Sequence, residues 1–171
     1  MDRVFDDDGT TVAGEPPVVR RATATDAAAI AEVWLASFTA ALPTVRRAHS
    51  DDEVHGWVRD TLLPEAQVWV ADDDAQIVAM MAIDSRDIAD GPGELAQLYV
   101  LPDHLGRGIG GRLLAIAQNA SPAGLSLWTF QVNTRARGFY VHHGFHEVEL
   151  TDGAGNEERE PDVRLVWLPE A

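Results

Sequence analysis

Residues 101–114, LPDHLGRGIGGRLL, set four glycines and two arginines between an apolar run and a helical pattern. The run before them, ELAQLYV (94–100), reads as a strand, and Ile109, Leu113, Ile116, Ala117 and Ala120 after them recur at helical spacing. Strand, glycine turn and helix start, in that order, aim unpaired backbone N–H groups and the positive end of a helix dipole at one point. A pyrophosphate suits that point, and glycines let it come close.

Charge patterning agrees. The 171-residue chain carries 28 acids against 13 basic residues, a formal net charge of −15. Such a chain repels nucleic acid and anionic membranes at long range, so neither is an expected partner. Yet residues 104–146 form a 43-residue stretch without a single carboxylate, where the chain's average density would give about seven. The same stretch holds Arg107, Arg112, Arg135 and Arg137, a locally positive region in a negative protein. An anionic ligand is expected there.

Two common phosphate sites fail on residue type. GRGIGG satisfies G-x-G-x-x-G, but a dinucleotide site needs that pattern after the first strand, with an acid about 20 residues on. Here the glycines fall two-thirds of the way along and the acid is missing. A P-loop ends in Gly-Lys-Ser/Thr, and all 13 basic residues are arginine. Zero cysteines exclude disulfides and thiolate zinc sites, and no metal is expected. The acidic N-terminus lacks an apolar signal core, and no apolar run approaches the roughly 18 residues of a membrane helix, so a cytoplasmic location is the expectation.

Periodicity supplies the rest of the fold. Residues 1–16 are polar with Gly and Pro and read as a disordered tail, leaving 17–171 as one domain. VVRRA (18–22) is a first strand, with Thr25-Asp26 as a helix cap behind it. The following helix carries Ile30, Val33, Trp34, Ser37, Phe38 and Ala41 on one face and stops at Pro43. SDDE (50–53) has the capping-box pattern and starts a second helix to about Leu63. AQVWVA and QIVAMMAI, joined by DDDA, predict a hairpin, and Gly91-Pro92-Gly93 punctuates before the strand at 94–100. LSLWTFQV (125–132), a short helix from Asn133 or Thr134 to Gly144, and the strands FHEVEL and VRLVWL complete the chain. The expected fold is mixed α/β. It has three layers, α/β/α, around a mostly antiparallel sheet of about seven strands, with one parallel pair flanking the glycine turn.

Two motifs then resemble the GNAT superfamily of acetyl-CoA-dependent N-acetyltransferases over about residues 18–168. LYVLPDHLGRGIGGRLL is similar to the family's pyrophosphate motif, Gln/Arg-x-x-Gly-x-Gly/Ala after a YVxP strand end, with Leu105 in place of the usual Gln or Arg. The second, Asn-x-x-Ala-x-x-Phe-Tyr-x-x-x-Gly-Phe, is met by Asn133, Ala136, Phe139, Tyr140, Gly144 and Phe145. The resemblance implies a splayed central strand pair and direct transfer of an acetyl group from acetyl-CoA, as co-substrate, to a primary amine. It assigns the cofactor to Leu105, Gly106, Arg107, Gly108, Ile109, Gly110 and Gly111, to Asn133 and Ala136, and to the backbones of Leu98, Tyr99 and Val100, along which the pantetheine arm would lie as an added strand. Tyr140 resembles the acid that protonates the departing CoA sulfur. Glu94, 14 residues before Gly108, matches the spacing of the catalytic glutamate in the protein-lysine branch, and a water chain is the alternative base.

The resemblance places the acceptor site at Trp34, Phe38, LPTVRRAHSDDE (42–53) and TDGAGNEEREPD (151–162). A small-molecule amine, a protein N-terminus and a lysine side chain all remain open as acceptors, and a homodimer is compatible with the chain. His142 and His143 are expected to cap helix carbonyls rather than hold a metal. The competing reading is a non-catalytic acyl-CoA or phosphate-ligand binding module on the same fold. Retention of Tyr140 favours the enzyme.

Overall fold

A computed structural model describes residues 15–84 and 92–169. The tail expected at 1–16 therefore falls almost wholly outside the described residues, as does Gly91. Seven strands form one sheet in the order β1-β2-β3-β4-β5-β7-β6. They are β1 (Val18–Arg21), β2 (Ala66–Asp73), β3 (Gln76–Asp84), β4 (Gly93–Val100), β5 (Leu125–Phe130), β6 (His146–Leu150) and β7 (Asp162–Trp167). Every neighbouring pair is antiparallel except β4 and β5, which run parallel. Among the described residues five α-helical segments accompany them: α1 (Ala27–Ala41), α2 (Asp51–Trp57), α3 (Leu63–Glu65), α4 (Ile109–Ala120) and α5 (Thr134–His142).

The three layers follow from where apolar side chains point. The continuous apolar run of β3 is buried on both faces, as a central strand requires. Met80 and Ala82 pack with Ile30 and Val33 of α1 and with Val54 of α2, whereas Met81 and Ile83 pack with Ile109, Leu113 and Leu114 of α4. Each face thus has its own core.

Helix starts agree with the sequence in one place and differ in another. Ser50 and Glu53 close the expected capping box, Ser50 Oγ accepting from the Glu53 N–H and the Glu53 carboxylate accepting from the Ser50 N–H. Of the expected pair Thr25-Asp26, Asp26 is the residue at the start of α1, and a 3-10 turn, Ala24–Asp26, that the sequence did not indicate precedes it with Thr23 as its own cap. Asp26 accepts from the Thr23 N–H at 2.7 Å and pairs with Arg20 at 2.9 Å, so its carboxylate is spent on anchoring β1 and its pKa is held far below the usual range, chiefly by Arg20. The second helix also outlasts its expected end. A π-helical turn at Val58–Leu62 carries it into α3 and to Glu65.

The central feature is where β4 and β5 part. Only Gly93↔Leu125 and Glu94↔Ser126 are paired, after which the strands diverge, so β4 beyond Glu94 keeps β3 as its sole strand neighbour. A bulge adds to this. Ala82 faces Gln97 and Ile83 faces Leu95, leaving Ala96 as the extra residue, which lets Leu95 share the α4-side core with Leu98 and Val100. The same bulge puts Glu94 on the sheet face that carries Gln97 and Tyr99.

Candidate active site

The opening between β4 and β5 leads to two cavities. One, of about 720 Å³, is walled by Leu98, Tyr99 and Val100, by Leu105, Gly106 and residues 108–111 of the turn, and by Asn133, Arg135, Ala136, Phe139 and Tyr140 of the second motif. The other, of about 640 Å³, is walled by Trp34, Phe38, Trp57, Tyr99, Trp128 and Phe130, with His49, Glu53, Glu157, Glu158 and Asp162 at its polar side. Tyr99 and Asn133 line both. The two cavities meet at the splay of the sheet.

Glycine at 106 and 108 is explained by this first cavity. Both residues adopt left-handed backbone, φ +79° and +76°, and a Cβ at either would meet no protein atom within 4 Å. No crowding within the chain demands glycine there. The turn keeps open the space in front of α4, whose first backbone hydrogen bond runs from Arg112 N to Gly108 O at 3.1 Å, leaving the earlier amides for an outside acceptor. No acidic residue sits in that first turn. Gly110 and Gly111 serve a different end: a Cβ would stand 3.4 Å from the Phe139 ring and 3.2 Å from His143 Nε2, so they let α4 and α5 close together.

The arginines of the acid-free stretch divide. Arg112 donates to the Pro17 carbonyl at 2.9 Å, and Arg137 is bound to Glu147, so both are structural. Arg107 is more than half exposed and stands 3.9 Å from Asp73, which β2 brings beside the turn together with His104 at 3.4 Å. Carboxylate-free in sequence is not carboxylate-free in space. Arg135 lines the first cavity, while Arg107 contributes to the turn but not to the cavity wall.

Asn133 caps α5, its Oδ1 accepting from Ala136 N at 3.1 Å, which settles the cap between the two residues the sequence offered. His143 caps the far end: its Nδ1 lies 2.8 Å from the Phe139 carbonyl. Between them Tyr140 is 8% exposed, packed on Phe145 and edge-on to Phe139. Desolvation raises its pKa above the ordinary tyrosine value, and the nearby Tyr99 phenol adds to that. Tyr99 is raised in the same way, by desolvation and then by the charge of Glu158. Glu158 lines the second cavity, Tyr140 the first, and Tyr99 both.

Trp34 and Phe38 stand where an acceptor would enter. Their rings stack at 5.0 Å, Trp57 and Tyr99 pack on Trp34, and the Trp34 indole donates to Gln97 Oε1 at 3.0 Å. Ser37, on the same helix, donates to the Val100 carbonyl at 3.0 Å and fixes the end of β4. Glu94 is paired with Ser126 at the start of β4, on the sheet face that carries Gln97 and Tyr99 and five residues before Tyr99.

The family model for the acetyltransferase (GNAT) domain matches residues 64–147. A peptidyl-lysine N-acetyltransferase of Escherichia coli K12, YiaC, is 33% identical over 151 residues, covering 88% of this chain and 96% of the relative. The chain belongs to the GNAT family of acetyltransferases and is an N-acetyltransferase. The fold agrees: apo YjaB of E. coli superposes with a TM-score of 0.70 at 24% identity over 90% of this chain and 98% of that one. The PaiA N-acetyltransferase of Thermoplasma acidophilum, solved with coenzyme A, gives 0.68 at 18% identity over 89% and 98%. Among the described residues no helix is long and apolar enough to cross a membrane, and no cluster of three or more His, Asp or Glu could hold a metal ion.

Proposed function

We propose that the chain transfers the acetyl group of acetyl-CoA directly to a cationic primary amine, with a lysine-type side chain as the preferred acceptor. The observation that carries this reading is the meeting of two cavities at Tyr99 and Asn133, one suited to a phosphorylated arm and one to an amine. In it the pyrophosphate lies at the start of α4, the pantetheine arm runs beside Leu98, Tyr99 and Val100 where β5 has turned away, and the thioester reaches Tyr140. The acceptor enters past Trp34 and Phe38. Aromatic faces and carboxylates both attract a cation, and the relative's name, peptidyl-lysine N-acetyltransferase, points to the same class.

The chemistry asks for three proton events. The ammonium must lose one proton to become nucleophilic. After attack on the thioester carbonyl, the adduct nitrogen loses a second, and the departing sulfur gains one. Tyr140 suits the last two. Because burial keeps it a neutral phenol, it is a weak acid, and it gives its proton to sulfur as the adduct's proton replaces it. A third proton stays on the amide.

Acetyl-CoA is expected to stabilise the protein against heat where NAD and ATP do not. At one hundred times its dissociation constant the gain is about 2.7 kcal/mol, a rise of roughly 5–10 °C for a chain of this size. A thermal-shift series with the three ligands reads it. Equal stabilisation by NAD would remove the cofactor assignment.

A further inference from the structure

The acceptor cavity carries four carboxylates, and three are already engaged. Glu53 is held by the N–H and hydroxyl of Ser50 in the α2 cap, Glu157 by His49 at 2.8 Å, and Asp162 by Thr151 and Asn156. Glu158 makes no hydrogen bond or ion pair among the described residues. It lines the cavity with Trp34 and Tyr99.

Its loop is built to hold it there. Between β6 and β7, Asn156 donates to the Glu160 carbonyl at 2.7 Å and to Asp162 at 2.9 Å, while the Glu160 N–H donates back to Asn156 Oδ1 at 3.1 Å. Gln131 ties the loop's two ends to β5 by donating to the carbonyls of Thr151 and Asp162. Position 153 requires glycine, because its φ is +80° and a Cβ there would stand 2.4 Å from the Glu160 carbonyl. Arg159, next to Glu158, is itself left-handed at φ +56°, a cost that the surrounding hydrogen bonds support.

We propose that Glu158 receives the acceptor's ammonium and takes its first proton, a proposal that rests on the acetyl-transfer reading above. The N–H bond of the ammonium breaks, Glu158 becomes a carboxylic acid, and the free amine attacks the thioester carbon. Glu158 then releases its proton to water at the open mouth of the cavity. The two remaining protons follow the course given for Tyr140, so charge and atoms balance. Glu158 acts from the face of Tyr99, whose phenol already feels its charge, and the groups around it are Glu53, Glu157, Asp162 and His49. The aromatic slot beside it takes the apolar stem that carries the amine.

The test uses Glu158→Gln, with Glu94→Gln and Glu160→Gln beside it, and two acceptors: an Nα-blocked lysine peptide and a weakly basic aromatic amine that is already unprotonated at neutral pH. Glu158→Gln is expected to lower kcat/KM for the lysine peptide about 10²–10³-fold at neutral pH, with a rate that climbs tenfold per pH unit toward the amine's own pKa. The aromatic amine should lose little, Glu158→Asp should recover part of the rate, and Glu160→Gln should match the wild type. Acetyl-CoA affinity, measured by calorimetry, should not move. Wild-type rates for Glu158→Gln on the lysine peptide, equal losses on both amines, or the full loss in Glu94→Gln instead would each overturn the proposal. A wild type inert toward every amine would overturn the activity reading, and this assignment with it.

Discussion

Replacing Tyr140 with phenylalanine lowers turnover by roughly 10²–10⁴-fold while acetyl-CoA affinity stays where it was. The ring is 8% exposed and packs on Phe139 and Phe145, contacts that phenylalanine keeps, so the fold and the cofactor cavity persist. What disappears is one hydroxyl. Without it the sulfur leaves as a bare thiolate into a poorly hydrated cleft, and the adduct nitrogen has no nearby route for its proton. Because the effect belongs to the transition state, kcat and kcat/KM should fall together, with KM for acetyl-CoA unchanged. Near wild-type turnover across pH 6–9, a range of roughly three units around neutrality where the phenol stays protonated, would leave Tyr140 as core alone.

The second large effect is at Gly108. Aspartate is chosen because it tolerates the left-handed backbone better than most residues, and because no protein atom lies within 4 Å of the new Cβ. The variant should therefore fold, losing about 1–2 kcal/mol to backbone conformation. Its carboxylate, however, projects into the space in front of α4, at the helix end that should meet phosphate oxygens. Like charges at that distance are expected to abolish the thermal shift by acetyl-CoA, and calorimetry should show no heat of binding. Undiminished binding in folded Gly108→Asp would move the pyrophosphate away from this turn.

These two positions were legible in the sequence because each belongs to a local pattern. Gly108 is read from the turn between a strand and a helix, and Tyr140 from a motif confined to one short helix. The order of elements was legible for the same reason: apolar periods of two and 3.6 are local, and the unbroken run of β3 marks a strand buried on both faces. The splay was implied by resemblance but not by periodicity, since nothing in ELAQLYV or LSLWTFQV says that pairing stops after Glu94 and Ser126.

What depends on distant residues was not legible. Four arginines in a carboxylate-free stretch look like one positive face, yet Arg112 turns to the Pro17 carbonyl, Arg137 to Glu147, and Asp73 arrives beside Arg107 from another strand. The pair Thr25-Asp26 marks the start of α1, but not the 3-10 turn before it, whose cap at Thr23 depends on Asp26 being held by Arg20 of β1. Spacing alone marked Glu94, and the bulge at Ala96 that turns it to the face of Gln97 and Tyr99 depends on pairing with β3. In the acidic run 157–162, charge alone could not separate Glu158 from its neighbours. The distinction lies in which of them finds a partner in the fold, and the bracing of the loop by Asn156 and Gln131 involves β5 and β7 as much as the run itself.

Acetyl transfer itself is the central claim, and thiol release reads it directly. Protein incubated with acetyl-CoA and an Nα-blocked lysine peptide is followed for free coenzyme A, with the peptide analysed by mass spectrometry. One thiol is expected for each acetylated lysine, at a rate proportional to enzyme and absent when the peptide's amine is blocked. Binding of acetyl-CoA with no amine-dependent thiol release, for this peptide and for a panel of small primary amines, would contradict the account and describe a binding module instead.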